Sequence, residues 1–164
     1  LPQVGERWPE AVAGLYMPLS TGAADLSVEC VRAGVPVIHL WADEIGQDLD
    51  GRFIPEALQE VHTRLVGESL RDRVTLVVSG GIAAAEHVAK SIACGADLAA
   101  LDFILQVAWG CSLWADKGRC HAESDEIDPE WGARRVTNLM NAWRDQLLEA
   151  LGACLLYTSD AADE

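Results

Sequence analysis

The sequence predicts an α/β domain of parallel strands, half of a (β/α)8 TIM-type barrel in preference to a doubly wound sheet. Three observations carry this. Four times the chain gives a short apolar run, then a loop, then a helical pattern, and such alternation means parallel βαβ units. Gly34 and Gly95 each stand between a helical pattern and the next strand, where a left-handed cap residue is wanted. A chain of 164 residues, half of them apolar, fits one domain with an ordinary core. Four such units are half of a barrel, whose functional loops sit at the C-terminal ends of its strands. Nothing local separates this from a doubly wound sheet, which binds ligands at the same strand ends.

The first strand is Leu15-Tyr-Met-Pro-Leu19, followed by a helix over about Ala24–Ala33. The second is Pro36-Val-Ile-His-Leu-Trp41, followed by a long acidic loop and a helix from Pro55, a residue suited to a first helical turn, to about Val66. The third, Val74-Thr-Leu-Val-Val78, runs through Gly80-Gly81 into a helix over about Ala84–Ala93. The fourth is Leu98-Ala-Ala-Leu-Asp102, with another helical stretch behind it. Asp128-Pro129 reads as N-cap and first residue of a final helix, Pro129–Leu151. Its apolar positions Val136, Leu139, Met140, Trp143, Leu147 and Leu151 fall mostly at three- and four-residue spacing.

A formal charge of −14 argues against nucleic acid or an anionic membrane as partner, because phosphates need a basic patch. Of the five cysteines, Cys30 and Cys94 sit in apolar helical stretches and are expected as small core residues. No signal peptide or apolar run of transmembrane length is visible, so the expected setting is the reducing cytoplasm. The chain begins at Leu1 without Met. Its last eleven residues, Cys154-Leu-Leu-Tyr-Thr-Ser-Asp-Ala-Ala-Asp-Glu164, look like one translated frame of a transposon-end sequencing adapter. The expected native part is 1–153, incomplete at both ends, with 154–164 as an artefact set aside from the fold argument.

Several places could carry chemistry. Ser79-Gly80-Gly81 lies at a strand's C-terminal end and opens a helix. Glycine there lets the backbone come close to a ligand, and the N–H groups of a first helical turn attract anions; the bland alternative is a tight turn with no ligand. The loop Asp43-Glu-Ile-Gly-Gln-Asp-Leu-Asp-Gly51 collects four carboxylates, but its spacing fits no complete cation loop, and a solvated acidic loop is the simpler reading. Cys111 and Cys120, with His121, offer soft ligands for iron–sulfur or zinc, although two thiols do not make a cluster site. His39 is expected as a hydrogen-bonded residue in or near the core, His62 and His87 as surface residues, and Trp41 and Trp109 as core residues that could also wall a flavin.

The stretch VVSGGIAAAEHVAKSIACGADLAALDFILQVAWGC, Val77 to Cys111, resembles the flavin-domain segment of glutamate synthase without gaps. In that family a strand ends in Asp-Gly-Gly, a helix and a Gly-Ala-(Asp/Glu) turn follow, then a Gly-rich strand end, and finally Gly-Cys. Gly80, Gly81, Gly95, Ala96, Gly110 and Cys111 match in register. VPVIHLWADEIG resembles the strand ending in the family's His-Asp-Gly-Gly loop, RFIPEALQEVHTRLVGESLRDRVTLVVSGG the stretch leading into the Gly-Gly, and VTNLMNAWRDQLLEALGA the closing amphipathic helix. The resemblance spans about Leu15 to Ala153.

The resemblance implies the C-terminal half of a (β/α)8 barrel that binds FMN near an iron–sulfur cluster. It implies an enzyme that reduces 2-iminoglutarate, formed from 2-oxoglutarate and ammonia or glutamine-derived nitrogen, to glutamate, working with glutamate synthase subunits. Ser79, Gly80 and Gly81 would hold the FMN phosphate, with Asp102 beside them where the family carries glycine. Cys111 would be the first cluster ligand and Cys120 a second, after about three inserted residues; no third cysteine follows. Asp43-Glu44-Ile45-Gly46 replaces His-Asp-Gly-Gly, and the first strand lacks the family's lysine. These departures describe a diverged, glutamate-synthase-related branch. They leave open an alternative: a flavin-free barrel acting as a binding or assembly partner of a synthase complex.

Overall fold

The structure, a computed structural model, describes residues 10–110 and 128–160. By internal contacts these fall into two compact units, one of residues 10–82 with 90–100, the other of 83–89, 101–110 and 128–160.

The first unit carries one sheet of four parallel strands in the order β1-β2-β3-β4, namely Gly14–Pro18, Val37–Trp41, Thr75–Ser79 and Leu98–Ala99. Each strand thus lies beside its predecessor, with no reversal of strand order. Helix α1 (Ala23–Arg32) connects β1 to β2, and α2 (Ile54–Gly67) connects β2 to β3 after the acidic loop. Helix α3 (Ala85–Ala93) connects β3 to β4. The two glycine caps stand as the sequence predicts, Gly34 at φ +86 and Gly95 at φ +111. Gly95 has a second reason to be glycine: a Cβ there would lie 2.4 Å from the His62 ring.

Side chains alternate along the strands, as the two-residue period requires. Leu15, Ile38 and Leu76 are in register, as are Met17, Leu40 and Val78. Ile38, Leu40, Leu76 and Val78 are buried with Val28, Val31, Leu58, Val61 and Leu65 of the two helices. Burying each such side chain contributes roughly 1.5–3 kcal/mol, so this layer holds the sheet to its helices. The opposite face is another matter. It carries Tyr16, His39, Trp41, Val77 and Leu98, and Tyr16 is 64% exposed.

In the second unit, α4 spans Phe103–Ala108 and α5 spans Pro129–Asp160. Asp128 caps α5, accepting from the Glu130 amide at 3.0 Å, as expected. Trp143 is the buried member of its apolar stripe, and Arg135 stacks over Trp131 at 5.0 Å. The helix runs nine residues past the predicted end at Leu151. No proline follows to stop it, Ala153 to Leu156 are tolerant of helix, and propagation costs little once a helix is nucleated. The fourth strand is corrected the other way. It stops at Ala99, and Asp102 is the N-cap of α4, because a carboxylate satisfies a first-turn amide better than it serves a ladder.

Candidate functional site

The candidate site is built at the C-terminal ends of β2 and β3. Ser79 closes β3, where its carbonyl accepts the Ala42 amide at 2.9 Å. Its side chain is buried, and Oγ shares a 2.9 Å hydrogen bond with Nε2 of His39. The hydrogen-bonded, near-core reading of His39 is therefore what the fold shows. Gly80 and Gly81 follow at φ +98 and +59, two successive residues in the region that favours glycine. A Cβ on Gly80 would lie 2.3 Å from the Ala42 carbonyl oxygen, and one on Gly81 2.4 Å from the Gly46 Cα. The absent side chains thus make room for the loop that leaves β2.

Two successive positive φ values cannot belong to a right-handed helix. Helix α3 accordingly begins at Ala85, within a residue of the predicted start, and three residues separate it from the Gly-Gly. The Ala83 amide ahead of that helix donates to Nδ1 of His87 at 3.2 Å. His87 is half-exposed on its helix and does local capping work.

The acidic loop is more ordered than a solvated loop. Asp43 Oδ1 accepts the amides of Ile45 and Gln47 at 3.0 and 2.7 Å. Asp50 Oδ2 accepts the Thr21 amide and hydroxyl, both at 2.7 Å, and these bonds hold its carboxyl below the usual range. Asp48 is buried, which corrects the expectation most directly. Its Oδ1 takes the amides of Asp50 and Arg52 at 2.9 and 2.8 Å, and its Oδ2 pairs with the Arg52 guanidinium at 2.8 Å. Burial pushes this carboxyl up, but the two amides and the guanidinium outweigh it and hold the group below its ordinary value. The other arm of Arg52 meets Glu60 of α2 at 2.7 Å. Three of the four carboxylates are thus engaged, Asp43 and Asp48 by donors in or next to the loop and Asp50 by Thr21. Among the described residues no cluster of His, Cys, Asp and Glu could hold a metal ion.

On the half-exposed face, the Tyr16 ring meets His39 edge-on at 4.8 Å and stacks beside Trp41 at 6.0 Å. A groove of about 490 Å³ runs there between Gly14, Tyr16, Val37, His39 and Val77. Trp41 is in register with Ser79, so this aromatic row ends beside the Gly-Gly turn.

The other candidates are dispersed. Asp102 is exposed and its Oδ1 accepts the Phe103 amide at 2.6 Å, so its charge is engaged by the start of α4. Cys111, Cys120 and His121 lie outside the described residues. Cys30 and Cys94 are half-buried, less enclosed than expected, and burial together with Glu29 raises the Cys30 thiol. His62 is no free surface residue: its Nδ1 accepts from Arg71 Nε at 3.2 Å. Arg71 also donates to the Val74 and Gly95 carbonyls, both at 2.9 Å, and pairs with Asp97 at 2.8 Å. Sequence reasoning missed this hub and the Asp48–Arg52 pair. The hub joins residues far apart in the chain, and the Asp48–Arg52 pair lies in a loop, where its four-residue spacing carries no signal.

Comparison with known proteins places this geometry in a family. The model of the conserved region in glutamate synthase matches residues 46–154, which include the loop from Gly46 onward, the Gly-Gly turn and most of α5. The archaeal glutamate synthase [NADPH] of Methanocaldococcus jannaschii is 36% identical over 125 residues, covering 68% of this chain and 24% of that protein. The archaeal-type glutamate synthase [NADPH] of Thermotoga neapolitana is 34% identical over 161 residues, covering 87% and 32%. The chain therefore spans about a quarter to a third of the length of these curated relatives. Among solved structures, a mutant flavocytochrome b2 with pyruvate bound superposes with a TM-score of 0.51 at 21% identity, over 65% of this chain and 27% of that one, a likeness of fold. On the match to the conserved region, which takes in two thirds of its residues, the chain belongs to the glutamate synthase family.

Proposed function

We propose that the chain is the C-terminal half of a (β/α)8 barrel, formed by residues 1–153 with 154–164 outside it, in an FMN-dependent oxidoreductase of the glutamate synthase type. The whole enzyme reduces 2-iminoglutarate, from 2-oxoglutarate and ammonia or glutamine-derived nitrogen, to glutamate. The sequential order of four parallel strands supports the barrel, and so does their half-exposed inner face, since parallel sheets are normally covered on both sides.

The observation that carries the cofactor reading is the Gly80-Gly81 turn at the C-terminal end of β3. The Cβ positions of both residues are taken by Ala42, Asp43 and Gly46, so what bears on an anion is the place of the turn: the loops at this end of late barrel strands are a common phosphate site. The residues present fit FMN in that respect. Gly80 and Gly81 hold the phosphate through the backbone, and Ser79, buried and tied to His39, braces the turn from below. FMN bound there supplies two-electron reduction. Tyr16 and Trp41 offer apolar ring faces next to the turn. The Asp102 carboxylate is engaged by the Phe103 amide at the start of α4. Cys111 and Cys120 remain the cluster ligands that the family resemblance implies.

The test is the visible spectrum of the protein, expressed within its complete reading frame and passed through gel filtration with and without added FMN. A retained flavin spectrum is the expected result. Folded protein that stays colourless in excess FMN overturns the reading. It would favour instead a flavin-free barrel acting as a binding or assembly partner of a synthase complex.

A further inference from the structure

In the loop between β2 and α2, a chain of contacts runs from Glu60 through Arg52 and Asp48 to the Gly80-Gly81 turn. Glu60 on α2 holds Arg52 at 2.7 Å, and Arg52 holds the buried Asp48 at 2.8 Å. Asp48 in turn fastens the amides of Asp50 and Arg52, and its own amide donates to the Arg52 carbonyl at 2.8 Å. This closes a small hairpin in which Gln47 pairs with Phe53. Just inside the hairpin, the Gly46 carbonyl accepts the Ile54 amide at 3.0 Å, which fixes the Gly46 backbone. Gly46 then occupies the place a Gly81 Cβ would need, as Ala42 and Asp43 occupy that of Gly80. None of the hydrogen bonds or ion pairs of Arg52 goes to the turn itself; they go to Asp48 and Glu60.

We propose that this loop is the seat of the Gly80-Gly81 turn and that Arg52 is its positioning residue, setting the turn's conformation and hence its affinity for a bound phosphate. The affinity clause rests on the FMN reading above; the conformational clause does not. A guanidinium suits the task because its planar fork engages two carboxylates at once, which an ammonium does less well. The loop's carboxylates, in this view, position the phosphate turn and bind no cation of their own.

The test compares Arg52→Gln, Arg52→Lys and Glu60→Gln with the parent protein by two measurements. The first is amide hydrogen exchange without ligand. Arg52→Gln is expected to speed exchange at Gly46, Ile54 and Gly80–Ile82 by about tenfold or more while Leu40, Leu58 and Leu65 keep their protection, since local opening is read site by site. Arg52→Lys restores part of the protection. Glu60→Gln, which leaves the Asp48 pair intact, gives the same pattern at smaller size, and it decides the matter if Arg52→Gln fails to fold. The second measurement is FMN affinity, expected to weaken about tenfold in Arg52→Gln, or ~1.4 kcal/mol. Faster exchange confined to Asp48–Ile54, with Gly80–Ile82 and FMN affinity unchanged, overturns the proposal. A parent protein that binds no FMN removes the FMN reading, and exchange at Gly80–Ile82 still decides whether the loop seats the turn.

Discussion

Replacing Gly80 by alanine separates two reasons for a glycine, room for a ligand and room for the protein's own backbone. At φ +98 an L-residue is strained, by about 1–2 kcal/mol. The added Cβ would also stand 2.3 Å from the Ala42 carbonyl oxygen and 2.8 Å from that of Asp43. These are backbone atoms, and Ala42 is fixed by its 2.9 Å bond to Ser79, so relief means opening the end of the sheet. Overpacking of this kind costs about 1–3 kcal/mol. Gly80→Ala should therefore lose roughly 2–5 kcal/mol with no ligand present. Gly34 supplies the control, because it lies at φ +86 with nothing within 4 Å of the missing Cβ. Gly34→Ala should lose only the conformational part, about 1–2 kcal/mol. Urea titrations of both variants and the parent read the difference; with a slope of about 1–3 kcal/mol/M, the Gly80 midpoint should fall about 1 M below that of Gly34. Coincident midpoints for the two variants would refute the reasoning and leave ligand approach as the reason for Gly80.

Asp48→Asn should cost about 2–3 kcal/mol at neutral pH, less than a fully buried pair because Arg52 keeps 28% of its side chain in solvent. The folded carboxyl is lowered, so its contribution is complete above the ordinary carboxylate range and disappears as pH falls through the lowered value. The variant should accordingly show a flatter acid limb in urea midpoints recorded from pH 7 to 2, and parallel limbs would count against the buried pair. Asp102→Ala removes the cap of α4 and should lower stability by about 1 kcal/mol. An unchanged thermal midpoint would mean the cap bond contributes nothing.

The fold was legible wherever one segment's own residues decide its state. Gly34 and Gly95 were readable because a helix end needs a left-handed residue whatever surrounds it, and Asp128-Pro129 because capping is a local bond. β4 was misjudged because Leu98-Ala-Ala-Leu-Asp102 has the apolarity of a strand, while the strand's length depends on how far β3 can pair with it. Asp48 and Arg52 stand four apart, a spacing that signals an ion pair only on a helix; here a hairpin brings them together, and its burial is a tertiary fact. For Gly80 and Gly81 the sequence showed that something must come close. It could not show that the visitor includes Ala42 and Gly46, some forty residues earlier.

That contact also orders the departures from the family's His-Asp-Gly-Gly loop. In this chain Asp43-Glu44-Ile45-Gly46 stands in its place. Asp43, Glu44 and Ile45 are exposed, whereas Gly46 is buried against Gly81. Glycine stands at the one position of the four where the turn leaves no room for a side chain, and the side chains of the other three reach solvent. Keeping the seat while changing the exposed side chains preserves the shape of the turn and alters what surrounds it. On the FMN reading proposed above, the change falls on the surroundings of the bound phosphate, and exchange measurements on the turn together with flavin titrations are the assays in which it should appear.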